Sequence, residues 1–248
     1  MKIVRLSIAV AMTALSSQVF AADTLADAFK NGSLSGEIKA FYFNKDNGTD
    51  REDIVATGLM LKYLTDEYMG FKAGATFQSS STPFIDDGGK TMFRNDMWAQ
   101  GAQLSEAYLA YTFDKTTLKY GRMFMSTPLV ASSGSRLIRE SFEGAHITNT
   151  NLPNTVLGAV YVDKFQARTD RDGDVGKFKN YNDGTYSLYA INKSIPNLTL
   201  IGAWAHIDEQ TAQSDLNIYY AEAIYANKLN QLGYTLAGQY WANKYTSG

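Results

Sequence analysis

Two arginines three residues apart, Arg136 and Arg139, lie in an unusual segment of the chain. The segment 123–142 reads MFMSTPLVASSGSRLIRESF, which is serine-rich and too apolar for a loop that is fully exposed to water. Guanidinium groups keep their charge and bind carboxylates through two parallel hydrogen bonds, so a loop folded into a pore could present them to a passing anion. The alternative, a pair of arginines on an exposed outer loop, stays open because loops usually lie at the surface.

A second set of charges falls on one face of several predicted strands. Side chains point alternately to opposite faces of a strand, so Leu34 and Ile38 share one face while the charged residues between them share the other. The charged residues on such polar faces are Glu37, Lys39, Lys62, Lys72, Glu106 and Lys119. An apolar face can meet lipid and the opposite face requires water, so these six are candidate charges of a water-filled lumen.

Motifs of catalysis and metal binding are missing from the sequence. It contains no GxSxG, HExxH or phosphate-binding loop, and its two histidines, His146 and His206, have no metal-ligand spacing. There is no cysteine, which excludes disulfides and thiolate metal sites. The acidic run 170–174 begins like a calcium loop, but its glycine is at the wrong position and the twelfth residue is Tyr181. We therefore predict no enzymatic activity, no metal and no cofactor.

The elements that position these residues are β-strands joined by alternately short and long connections. Apolar and polar residues alternate in eleven segments: 34–44, 53–64, 69–78, 103–113, 117–122, 143–149, 155–163, 184–192, 198–207, 215–226 and 231–241. Pro153-Asn154 and Pro196-Asn197 mark two of the short turns. Tight turns on one side and longer loops on the other are typical of an antiparallel up-and-down transmembrane β-barrel.

Two features of the strands leave alternatives open. Alternation does not by itself exclude a β-sandwich, so a soluble periplasmic binding protein is a rival interpretation. In 155–163 and 198–207 both faces are largely apolar, so the lipid-facing side is undetermined. Arg122 falls on the same face as Leu118 and Tyr120, and it must lie at a rim or follow a bulge.

The first 21 residues have the three parts of a secretory signal peptide. Lys2 and Arg5 precede the apolar run 6–15, and small residues precede a cleavage site after Ala21. Removing this segment takes two of the 23 basic residues and none of the 25 acidic ones, so 21 against 25 gives the mature chain a net charge of −4. The balance provides no basic surface for nucleic acid.

Several blocks of sequence resemble the OprD-type outer-membrane porins, especially the forms common among epsilon-proteobacteria. They are 23–29 followed by 36–43, and then 117–121, 127–130, 135–137 and 142–144. The resemblance implies an 18-stranded monomeric barrel in the bacterial outer membrane, surrounded by lipid and lipopolysaccharide, that passes small polar or carboxylate-bearing solutes. It implies that the third outer loop forms a constriction, here containing Ser126, Thr127, Pro128, Ser135, Arg136 and Arg139. Basic residues on the wall would guide anionic solutes.

The strand count raises a question about the length of the domain 22–248. Barrels of single bacterial chains have an even number of strands, whereas eleven are predicted here. At the same spacing an 18-stranded barrel needs roughly 370 residues, so we expect a C-terminally truncated, open barrel. A third function, an outer-membrane barrel hydrolase, would need a Ser-His pair at the lipid-facing rim. No sequence context for such a nucleophile is present.

Overall fold

Most of the described residues belong to one antiparallel β-sheet. The computed structural model describes residues 5–13, 22–208 and 214–246, the first of these ranges as backbone only. The strands are β1 Arg5–Thr13, β2 Ser33–Asp46, β3 Arg51–Leu64, β4 Phe71–Ser81, β5 Gly101–Phe113, β6 Thr116–Met123, β7 Ser141–Asn149, β8 Thr155–Gln166, β9 Phe178–Asn192, β10 Leu198–Asp208, β11 Asp215–Leu229 and β12 Leu232–Thr246. Each strand pairs with its neighbour in sequence, so the order is β1 to β12 without a crossover.

The eleven predicted strands are confirmed as β2 to β12. The sheet is open, because within the described ranges no pairing joins β12 to the opposite edge. It is also a single layer, which excludes the two packed sheets of a β-sandwich. Short helices lie only in the connections: α1 Leu25–Lys30, α2 Asp87–Met92 and a 3₁₀ turn Asn95–Met97. None of the helices in the described ranges is long and apolar enough to cross a bilayer.

The short connections confirm the turns that the Pro-Asn pairs predict. Asn154 and Asn197, each directly after a proline, have φ angles of 53° and 65°, a left-handed conformation that asparagine tolerates well. These turns, and the two-residue connection between β11 and β12, lie at one end of the strands. The connections 82–100, 124–140 and 167–177 lie at the other end. The predicted alternation of short turns and long loops is therefore present.

The face that points away from the segment 124–140, called here the outward face, is apolar and exposed. On β4 and β5, Phe71, Leu109 and Tyr111 are 45%, 51% and 39% exposed. Leu34, Ile38, Leu118, Tyr120, Leu188 and Leu200 are exposed on the same face of other strands. Burying apolar area is the main stabilising term in water, so such a face requires an apolar surrounding.

The two strands of undetermined parity have inward faces that are apolar because something packs on them. Val160 and Val162 of β8 are buried against Met123, Met125 and Val130, which lie in or next to the segment 124–140. Ala205 of β10 is also buried, at 3% exposure. Both faces of these two strands are therefore apolar because the inward face is packed, while the side chains still alternate between the two faces. Leu157 and Leu200 face outward.

Arg122 lies on the outward face at the end of β6 nearest the long connections. Its Nε donates to Glu143 Oε2 at 2.8 Å, and Lys164 Nζ lies 2.5 Å from the other oxygen of that carboxylate. The strand register shifts beside both Glu143 and Lys164, so each of these residues adjoins a bulge. Arg122 therefore lies at the rim, the first of the two explanations expected for it, and the ladders that β6 forms with β5 and β7 pass through Arg122 without a register shift.

The strand β1 falls inside the segment that is predicted to be a signal peptide. It pairs with β2 in an antiparallel register in which Arg5 lies opposite Phe43 and Thr13 lies opposite Ser35. An unpaired strand edge is a template for further pairing, which explains why this segment finds a partner there. Cleavage after Ala21 stays a prediction, and residues 14–21 lie outside the described residues.

Candidate functional site

The segment 124–140 is fastened to the inward wall of the sheet at residue 139. Gln78 of β4 is 1% exposed, and its amide oxygen accepts a hydrogen bond from the Arg139 backbone N–H at 2.9 Å. The Gln78 amide nitrogen donates to the Arg139 carbonyl at 3.0 Å and to Ser105 Oγ at 2.8 Å. Next to this point Leu137 packs on β3 beside Gly58, where a Cβ would lie only 3.1 Å from the leucine side chain.

The beginning of the same segment is fastened by Glu106 of β5. This carboxylate is 2% exposed and accepts a hydrogen bond from the Phe124 backbone N–H at 3.1 Å. Its other oxygen lies 2.6 Å from Thr76 Oγ1 and 3.1 Å from Lys62 Nζ. Buried charges persist when they are paired and fully hydrogen-bonded, and Glu106 meets both conditions. The predicted inward placement of Glu106 and Lys62 is therefore observed.

The middle of the segment is a small hairpin with an apolar underside. Thr127 Oγ1 accepts from the Val130 N–H at 3.0 Å, and Ser126 forms a bridge with Ala131. Of the predicted loop residues, Thr127 is buried, whereas Ser126 and Ser135 are exposed and Pro128 is half-buried in the turn. Met125 and Val130 lie under the hairpin, packed on β7 to β9. Apolar burial thus holds this part of the segment on the wall.

Arg136 is held by a carboxylate that sequence interpretation missed. Asp96, in the connection 82–100, is 8% exposed and lies 3.6 Å from Arg136 Nε and 3.4 Å from Arg168 Nη1. The Arg168 guanidinium also donates to Ser135 Oγ and lies 3.6 Å from Glu140. These contacts link the three connections 82–100, 124–140 and 167–177 to one another. Arg136 therefore has an acidic partner, which it shares with Arg168.

Arg139 differs from Arg136 in having no acidic partner among the described residues. Its guanidinium lies over the Phe124 ring, 4.6 Å from the ring centre, and the side chain is half-buried. A cation over an aromatic face is held in place without loss of its charge. Arg139 is thus oriented by its own segment, and its charge is available to a ligand.

The other predicted lumen charges lie on the inward face with different degrees of pairing. Lys39 Nζ is 3.4 Å from Glu37, so that pair is largely self-neutralising. Lys119 Nζ lies 4.1 Å from the centre of the Tyr108 ring. The register places Lys72 and Lys119 on either side of Ala110, in one row across β4, β5 and β6. Lys72, Lys119 and Arg139 therefore provide the least compensated positive charge.

The two histidines occupy opposite faces of the sheet. His146 Nε2 lies 2.9 Å from the Tyr189 hydroxyl on the inward face. His206 lies on the outward face of β10, next to Asn217. Neither imidazole hydrogen-bonds a serine hydroxyl anywhere in the described residues, so the hydrolase hypothesis has no Ser-His pair to support it.

One sequence family and several solved structures are similar to this chain. The sequence profile described as outer membrane porin, OprD family, matches residues 86–243. Among solved structures, OccK8 (OprE) of Pseudomonas aeruginosa is similar, with a TM-score of 0.70, 14% identity, and coverage of 89% of this chain and 56% of that one. OccAB2 of Acinetobacter baumannii has a TM-score of 0.72, 17% identity, and coverage of 88% and 59%.

A third similar structure, OccAB4 of Acinetobacter baumannii, has a TM-score of 0.70, 17% identity, and coverage of 88% and 60%. At these identities the likeness concerns the fold alone. The chain spans between 56% and 60% of the length of these three structures. No curated protein matches it significantly in sequence.

Proposed function

The chain belongs to the OprD family of outer-membrane porins, and from this membership we propose that it forms the wall of a passive diffusion channel for small carboxylate-bearing solutes. The segment 124–140 narrows the lumen, and Arg139 is its solute-facing charge. Transport is driven by the gradient of the solute and involves no covalent chemistry. Lys72 and Lys119 extend the positive potential along the wall below the narrowing.

One observation carries this proposal. The segment 124–140 is fixed at both ends to the inward wall, by Glu106 at Phe124 and by Gln78 at Arg139. A fixed segment keeps its opening constant, as a channel that discriminates by size requires. Arg139 is oriented over Phe124 without an acidic partner in the described part of the chain, so it favours an anion.

The location of the chain in the outer membrane follows from the same family membership. Residues 1–21 direct export and are removed, so β2 becomes the first strand of the mature sheet. The outward face meets outer-membrane lipid and lipopolysaccharide, because its exposed residues are mainly aliphatic and aromatic. The channel acts as a monomer, with no requirement for a cofactor.

Replacing Arg139 with glutamine is expected to lower the anion preference of the channel. Removing one unit charge about 5 Å from a permeating ion in water changes its energy by about 0.8 kcal/mol, which corresponds to roughly a fourfold change in permeability. The reversal potential of a closed barrel that contains this wall, measured in planar bilayers under a KCl gradient, reports this change. The effect should shrink in 1 M salt, where the Debye length is about 3 Å.

Lys164→Gln is the matched control, because it removes the same charge from the outward face. Its reversal potential should equal that of the unsubstituted protein. An unchanged selectivity in Arg139→Gln would remove this residue from the proposed site. A folded, closed barrel that contains this wall and gives no conductance at all would contradict the channel itself.

A further inference from the structure

Three side chains that could bind a metal meet on the outward face, at the ends of β10 and β11 that adjoin the connection 209–214. His206 Nε2 lies 2.8 Å from Asp208 Oδ1 and 4.0 Å from Asp215 Oδ2. Each residue has one atom that could ligate a metal, and these three atoms all lie within 4.8 Å of one another. His206 and Asp208 are two residues apart on β10, so their side chains lie on the same face. Because His206 is paired with Asn217, Asp215 lies opposite Asp208 on β11. The channel proposed above does not use any of these residues.

The orientation of the His206 ring follows from its neighbours. The Trp204 indole N–H is a donor only, and it meets Asn217 Oδ1 at 3.1 Å. That same oxygen lies 3.1 Å from His206 Nδ1, so Nδ1 must carry a hydrogen and donate it. The imidazole also stacks on Trp204, with an interplanar angle of 19°. The ring is therefore fixed with Nε2 directed at the two carboxylates.

A metal ion at Nε2 would stabilise this arrangement. With Nδ1 as the donor to Asn217, the lone pair of Nε2 is directed at two carboxylates. Two aspartates directly opposite each other on antiparallel strands repel. A divalent cation placed between Nε2 and the two carboxylates would be attracted by all three groups.

The distances and donor types suit a transition metal. Four ligands at about 2.0–2.1 Å from Zn²⁺ in a tetrahedron lie about 3.3 Å from one another. The observed separations of 2.8 Å and 4.0 Å bracket that value, so small side-chain rotations reach it. One nitrogen and two carboxylate oxygens are suitable ligands for Zn²⁺, whereas Ca²⁺ and Mg²⁺ prefer oxygen alone. A histidine ligand whose other nitrogen donates to a fixed oxygen is the usual arrangement in metal sites.

We propose that His206, Asp208 and Asp215 form a divalent transition-metal site on the outward rim, with Asn217 as its positioning residue. Three protein ligands leave one coordination position open to water or to an anionic group outside the barrel. The ion would link the ends of β10 and β11.

Titration with Zn²⁺ alone tests the site, using the full chain folded in a zwitterionic detergent and isothermal titration calorimetry. We expect one equivalent to bind, and His206→Gln or Asp208→Asn to weaken binding at least tenfold. Asn217→Leu should weaken binding 10- to 100-fold although Asn217 does not contact the metal, because its Oδ1 holds the His206 ring in the orientation that ligates the ion. Co²⁺ should give the visible absorption of a four-coordinate ion in the unsubstituted protein and lose it in His206→Gln.

His146→Gln is the matched control, since it removes the other histidine from the inward face. Heat-dependent gel mobility confirms that each variant is folded before it is titrated. The proposal is overturned if no stoichiometric Zn²⁺ binding is found. It is equally overturned if binding survives in His206→Gln or is lost in His146→Gln.

Discussion

Glu106→Leu is expected to destabilise the folded protein by about 3 kcal/mol, the lower end of the range for breaking a buried ion pair, because the Lys62 side chain is 36% exposed. The carboxylate is 2% exposed and accepts hydrogen bonds from Thr76 and Phe124 while it pairs with Lys62. Leucine has a similar size but no acceptor, so the Phe124 N–H and the Lys62 ammonium lose their partner. The beginning of the segment 124–140 then loses its attachment to β5.

Urea unfolding of the full chain in lipid vesicles, followed by tryptophan fluorescence, measures this loss. Glu37→Leu is the control, because Glu37 is on the same inward face and pairs with Lys39 at 3.4 Å. Its side chain is 26% exposed, and a solvated ion pair contributes no more than about 1 kcal/mol. Equal destabilisation by the two substitutions would show that Glu106 is not an anchor of the segment.

Asp96→Asn should destabilise the protein by about 3 kcal/mol and at the same time increase its preference for anions. Asparagine keeps the shape of Asp96 but leaves Arg136 and Arg168 without their shared counter-charge. The expected loss of stability is at the lower end of the range for buried ion pairs, because the side chains of Arg136 and Arg168 are 18% and 17% exposed. Their released charge adds to that of Arg139 near the proposed narrowing.

Two measurements on the same variant separate these effects: urea unfolding for stability and the reversal potential for selectivity. Arg94→Gln is the control, since Arg94 also lies 3.5 Å from Asp96 but is 78% exposed. We expect it to change neither quantity appreciably, because exposed pairs contribute little. A stable Asp96→Asn variant with unchanged selectivity would show that Arg136 and Arg168 do not depend on this carboxylate.

The strand pattern was predictable because it depends on local chemistry. Each of the eleven predicted segments overlaps an observed strand, since alternation between lipid and water is imposed residue by residue along the chain. Strand ends were less predictable. β9 begins at Phe178, whereas alternation indicated 184, because Phe178 and Asn180 extend the ladder by backbone pairing with Gln166 and Lys164. Backbone hydrogen bonds of this kind leave no pattern in side-chain polarity.

The proposed site was predictable in part. The composition of 123–142 indicated a segment with an unusual environment, and parity placed Glu106 and Lys62 on the inward face. The different pairing of Arg136 and Arg139 was not predictable, because Asp96 is 40 residues before Arg136 and Arg168 is 32 residues after it. Gln78 lies within the predicted strand 69–78, and no local signal indicates the hydrogen bonds of its carboxamide to Arg139.

The sequence by itself determined the fold class, the number of strands and the side of each strand on which most charges lie. Those features follow from the period of a strand and from the solvents that its two faces meet. Only the tertiary structure decided which charges are paired, why the inward face of β8 is apolar, and that His206 lies beside Asp208 and Asp215. These features depend on contacts between residues far apart in sequence, and such contacts exist only once the loops have packed on the wall and the strands have taken their register.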